Sequence, residues 1–89
     1  MKDLFESKQS IEILIVLLEG KMMITNIMKS IFIEYGKHSH HSSISKCVNF
    51  LEKLGLVRKE IAGRKCNISL TPKGESIAKL LKNIRNELA

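Results

Sequence analysis

Five side chains of this 89-residue chain are imidazoles or thiols, which can hold metal ions: His38, His40, His41, Cys47 and Cys66. Zinc takes imidazole and thiolate ligands, and its structural sites present them in pairs at short fixed spacings. No Cys-x-x-Cys or comparable His/Cys pair occurs here. Cys47 falls on an apolar helical stripe and Cys66 on an inward strand position, where a thiol acts as a small hydrophobe. Neither a metal nor another cofactor is expected. Catalysis is equally poorly supplied. Asp3 is the only aspartate, the five glycines are scattered, and no Gly-x-Ser-x-Gly elbow or His-Glu-x-x-His pair is present. An enzyme is therefore not expected. What remains is a group of hydroxyls, an amide and lysines: Ser42, Ser43, Ser45, Lys46, Asn49 and Lys53. On a helix they lie opposite the apolar Ile44, Cys47, Val48, Leu51 and Leu54. Such a face offers donors and acceptors to base edges and cations to phosphates, and a DNA major groove, about 12 Å wide, admits one helix.

The composition points the same way. Fifteen Lys and Arg against nine Asp and Glu leave a net charge of +6, which favours a polyanionic partner, nucleic acid or an anionic membrane surface. The densest apolar run, Ile13 to Leu18, is six residues bracketed by Glu12 and Glu19, far short of the roughly 20 that span a bilayer. The mixed charges of Met1 to Glu6 make no signal-peptide core. Two cysteines suit a reducing compartment rather than a disulfide scaffold. A cytoplasmic protein without membrane association is expected, with residues 1–89 forming a single domain of 44% hydrophobic and 27% charged residues.

The elements that must position the polar face follow from periodicity and punctuation. A first helix is predicted over about 3–19, nearly apolar all round and stopped by Gly20. A strand over Ile11 to Leu18 is the competing reading, and length favours helix. A short second helix, about Thr25 to Phe32, carries Ile24, Ile27, Met28 and Ile31 on one face, with Thr25 as its cap. A polar connection, Glu34 to Ser39, leads to a third helix over about 40–54, ended by Gly55. Val57 to Ile61 and Cys66 to Leu70 read as a hairpin around Ala62-Gly63-Arg64-Lys65, with two cations on its projecting turn. Thr71 and Pro72 make a strong start for a last helix, with Ile77, Leu80, Leu81, Ile84 and Leu88 as its apolar stripe. The fold class expected is mainly α with a small β-hairpin, in the order helix-helix-helix-strand-strand-helix.

Two stretches carry a family resemblance. Ser42-Ser43-Ile44-Ser45-Lys46 followed by Leu51-Glu52-Lys53-Leu54-Gly55-Leu56-Val57, and then Leu70-Thr71-Pro72-Lys73-Gly74 at the right separation, resemble winged helix-turn-helix DNA-binding regulators of the MarR and ArsR types, small archaeal-type forms included. The likeness spans about residues 21–81. It departs from the common pattern in the long connection before the third helix, in Lys46 where Arg is common, and in lacking the extra helices of larger MarR proteins. Lys is a point charge without the planar fork of Arg, so bidentate guanine reading from position 46 is not implied.

The resemblance implies a winged-helix, sequence-specific regulator of double-stranded DNA. Helix 40–54 would lie in the major groove and wing 61–66 on the backbone or in the minor groove. Candidate DNA contacts are His41, Ser42, Ser43, Ser45, Lys46, Asn49, Lys53, Arg58, Arg64 and Lys65. Dimerisation would fall to the first helix and to the C-terminal helix (about 75–88), through Leu14, Leu17, Ile77, Leu80, Leu81, Ile84 and Leu88. The first helix is predicted to carry more apolar surface than one core can cover. No small-molecule effector is evident. Two alternatives remain open: a winged helix used as a protein–protein interaction module, and a nonspecific architectural DNA binder.

Overall fold

Ile13, Leu14, Ile15, Val16 and Leu17 are all buried, and the element that carries them is the central helix of the domain. The structure is a computed structural model describing residues 8–88. Helix α1 spans Lys8–Val16, tightens into a 3₁₀ turn at Leu17–Glu19, and stops at Gly20, whose φ of 136° few other residues adopt. The predicted start of this helix, residues 3–7, lies outside the described residues. α1 packs against all three other helices, described next. That corrects the expectation of an apolar surplus on it: with three helices packed on it, one core does cover Ile13 to Leu17. The competing strand is likewise replaced by helix.

Helix α2, Ile24–Tyr35, buries Ile27 and Ile31. Its start corrects the expected Thr25 cap. Met23 is the N-cap, without a side-chain bond, and its carbonyl accepts the N–H groups of Asn26 and Ile27, both at 3.0 Å. Thr25 is an exposed residue of the first turn. No breaker occurs before Gly36 (φ 66°), so α2 runs beyond Phe32, and the connection to the next helix is shorter than Glu34 to Ser39.

Helix α3, His41–Lys53, buries Ile44, Val48 and Leu51. Beyond Leu54, Gly55 turns left-handed (φ 75°), and the N–H groups of Gly55 and Leu56 reach the carbonyls of Glu52 and Leu51, both at 3.0 Å. This pair of hydrogen bonds is a Schellman stop, and the apolar residues at its two ends, Leu51 and Leu56, are both fully buried.

Strands β1 (Val57–Ala62) and β2 (Lys65–Leu70) pair antiparallel, Val57 with Leu70 through Ala62 with Lys65. The connecting turn is Gly63-Arg64, with positive φ at the glycine alone, the requirement of a type II′ hairpin. Met22 adds one further rung: its N–H and C=O bond Ile68 at 3.0 and 2.8 Å.

Helix α4, Pro72–Leu88, begins as its sequence predicts. Thr71 Oγ1 accepts the Gly74 N–H at 3.1 Å and donates to the Gly55 carbonyl at 2.7 Å, tying the start of α4 to the end of α3. Gly74 sits so close to the Leu56 backbone that a Cβ there would stand 1.8 Å from its carbonyl oxygen. The order of elements is that of a winged helix-turn-helix domain. Among the described residues, no helix is long and apolar enough to cross a membrane.

Candidate nucleic-acid interface

With Ile44, Val48 and Leu51 fixed inward, the helical repeat turns Ser42, Lys46, Asn49 and Lys53 outward on one line. All four are exposed, as is His41 at the first turn. Ser43 and Ser45 lie on the two flanks of that line and are half-buried. The helix thus presents one row of two lysines, an amide and a hydroxyl, bordered by two further hydroxyls.

The hairpin stands beside this row. Arg64 and Lys65 are exposed at its turn, and Arg64 lines a shallow cleft of about 250 Å³ with Met23, Ile24, Thr25, His41 and Cys66. The wing tip and the beginning of α3 therefore share one surface. Arg58 does not join it. Directly paired residues share a sheet face, so Arg58 goes with Ser69 while Lys59 and Ile68 occupy the opposite face, turned toward α3. Between residues 41 and 66 there are six Lys and Arg (Lys46, Lys53, Arg58, Lys59, Arg64, Lys65) against Glu52 and Glu60, so the basic excess is concentrated here.

Lys59 was not among the sequence-predicted contacts. Its ammonium donates to Asn49 Oδ1 and stands 3.7 Å from Glu52 Oε1, bridging wing to α3. The signal was present in the sequence: alternation places Lys59 on the same side of its strand as Val57 and Ile61, a lysine in an otherwise apolar line. Glu60, on the other face, pairs with Lys21 at 3.7 Å.

The histidines and cysteines are dispersed. His38 stacks on Phe32 with ring centroids 4.7 Å apart, His40 is the N-cap of α3, and the Cys47 thiol donates to Gln9 Oε1 at 3.3 Å. Among the described residues no three His, Cys, Asp or Glu side chains converge on a possible metal position.

Away from α3, the candidate dimer residues separate into two groups. Leu14 and Leu17 are interior residues of the single chain, and Leu81 is buried as well. This corrects their assignment to a subunit contact: α1 and the middle of α4 spend these side chains on the core. Ile77 is half-buried, whereas Leu80, Ile84 and Leu88 are 62%, 53% and 83% exposed. Ile84 and Leu88 border a largely apolar cleft of about 460 Å³ with Ile11, Ile15, Tyr35 and Leu81. At its rim Arg85 lies over the Tyr35 ring, 5.0 Å from the centroid, and donates to the Tyr35 hydroxyl. Burial raises the Tyr35 pKa. Lys37 pairs with the mostly buried Glu12 at 3.2 Å. Glu34, also on this side, has its pKa raised by burial and by its hydrogen-bonded neighbour Glu19.

No family model and no curated protein sequence matches the chain. Solved structures do. A protein of Archaeoglobus fulgidus is 24% identical with a TM-score of 0.76, over 99% of this chain and 97% of that one. A transcriptional regulator of Clostridium thermocellum is 21% identical with a TM-score of 0.74, over 98% and 95%. A MarR family transcriptional regulator of Silicibacter pomeroyi is 22% identical with a TM-score of 0.74; the match covers 89% of this chain but 54% of that longer one. At such identities the likeness is one of architecture, and what this chain shares with these proteins is the winged helix-turn-helix fold.

Proposed function

We propose that this chain is a sequence-specific, double-stranded DNA-binding transcription regulator acting as a homodimer, and not an enzyme. One observation carries the proposal: the outward row Ser42, Lys46, Asn49 and Lys53 on α3 stands beside a wing whose turn bears Arg64 and Lys65. In this reading α3 enters the major groove. Ser42, Ser43, Ser45 and Asn49 meet base edges, and Lys46, Lys53, His41, Arg64 and Lys65 meet phosphates and the groove margin. Arg58 is left out, because its face of the hairpin points away from α3. The net charge of +6 supports a polyanionic partner over a protein-interaction module, and the row of hydroxyls and amide supports specific over architectural binding. The winged-helix fold of solved transcriptional regulators is consistent with both points.

Selection of bound duplexes from a random DNA pool tests the proposal. Enrichment of a palindromic sequence is expected. Binding without enrichment would establish the architectural alternative, and no binding even at low salt would leave the protein-interaction module.

A further inference from the structure

Lys59 and Asn49 together fix which base α3 can read. An unconstrained Asn side chain pairs with adenine in the major groove, its NH₂ donating to N7 and its oxygen accepting from the N6 amino group. Here one lone pair of that oxygen already accepts from the Lys59 ammonium, which sets a cation beside the edge where adenine would bring its N6 amino group. Lysine ammonium is a donor only, so its bond to Asn49 settles which branch of the amide faces the wing: Oδ1 does, and the NH₂ lies on the other branch. Nor is Lys59 an idle surface lysine. Its side chain is 28% exposed, its backbone pairs with Ile68, and Glu52 Oε1 stands 3.7 Å from the ammonium.

We infer that Lys59 is a specificity-determining residue that makes Asn49 a guanine reader rather than an adenine reader. The inference rests on the DNA-binding reading above. The Asn49–Lys59 pair offers hydrogen-bond donors and a positive charge. Guanine presents two acceptors in the major groove, O6 and N7, and so matches that pattern. Adenine would bring its N6 amino donor to an oxygen already shared with an ammonium, so a donor meets a positive charge there. Glu52 acts as the anchor that keeps Lys59 from turning to a phosphate.

The test is site selection from random duplexes with the wild-type chain, followed by binding to duplexes changed at each base pair. Wild type, Asn49→Ala, Lys59→Met and Glu52→Gln are compared. The position whose preference disappears in Asn49→Ala is the one Asn49 reads. Guanine is expected there in wild type, favoured over adenine by roughly tenfold or more. Lys59→Met keeps the apolar stem and removes the cation beside Oδ1, so the preference should move to adenine. Glu52→Gln, an exposed change on α3, should weaken the guanine preference without removing binding, and it decides the matter should Lys59→Met fail to fold. Adenine at the Asn49 position in wild type overturns the inference, as does a guanine preference unchanged in both Lys59→Met and Glu52→Gln. Enrichment of no site at all overturns the regulator reading itself.

Discussion

Gly74 and Thr71 show how much of this domain depends on single atoms. The bend from β2 into α4 brings the first turn of the helix against the backbone at Leu56, where a Cβ would stand 1.8 Å from a carbonyl oxygen. Gly74→Ala must therefore displace α4 or the end of α3. We expect a loss of about 3 kcal/mol, the upper part of the usual overpacking range, read as a lower urea midpoint with an unchanged slope. A loss under about 0.5 kcal/mol would mean that the close approach relaxes freely. Thr71→Ala removes both the cap to Gly74 and the bond to Gly55, and should cost about 1–2 kcal/mol by the same measurement. The Leu-Thr-x-x-Gly pattern was thus a physical signature as well as a resemblance: the threonine caps the helix and the glycine permits the contact. Ser43 tests the recognition face at the same scale. Ser43→Ala should narrow the gap between selected and random DNA while leaving nonspecific binding unchanged, because a flank hydroxyl carries base readout and no charge. Equal weakening of both would take Ser43 off the base-reading face.

At the scale of elements, the wing is the part whose electrostatics can be isolated. Each phosphate contact on duplex DNA contributes about −0.9 to the slope of log K against log salt. Arg64→Ala with Lys65→Ala should make the slope shallower by up to about 0.9 for each cation lost per subunit, with selected and random DNA affected alike. An unchanged slope would remove the wing from the binding surface. The elements with chemical punctuation were legible in the sequence: Gly55 as the stop of α3, Gly63 in the hairpin turn, Thr71-Pro72 as the start of α4. Those without it were not. Met23 caps α2 with its backbone alone, so the expected start slid to the nearest hydroxyl, Thr25. The bridge from Met22 to Ile68 is a single rung and leaves no period to detect. The outward row of α3 was legible because helical periodicity fixes it once the apolar stripe is known. The Lys59–Asn49 pair was not, because it joins two elements whose relative placement depends on the whole core. Composition showed that Ile13 to Leu18 is apolar all round; only the packed structure shows that three helices surround it, which is why Leu14 and Leu17 changed assignment.

At the scale of the whole molecule, the apolar line of α4 outlasts the core it serves. Ile77, Leu81, Ile84 and Leu88 follow one another at helical spacing on one side of the helix. The line is half-buried at Ile77, buried at Leu81, and then exposed at Ile84 and Leu88, with Leu80 on its flank. The last two turns therefore carry a core-type face past the end of the core, into a cleft floored by Ile11, Ile15 and Tyr35. An exposed apolar face of this kind is what an interface requires, and in the proposed homodimer a second copy of the chain would contribute the same face and close it with two-fold symmetry. Helix-turn-helix dimers place their recognition helices about 34 Å apart, so in the proposed dimer each α3 would lie about 17 Å from the axis. Leu81 is the wrong place to test this, since a charge there enters the core. Ile84→Glu with Leu88→Glu changes only the exposed end of the line. The wild-type chain should sediment as a dimer at tens of micromolar (about the concentration at which a weak homodimer remains assembled), and the double variant as a folded monomer. Binding of a palindromic site by the variant should fall by more than about tenfold, because two half-sites are no longer engaged by one linked pair of subunits. A wild-type chain that sediments as a monomer and still binds the palindrome at full strength would separate DNA reading from dimerisation and leave the exposed end of α4 to another partner.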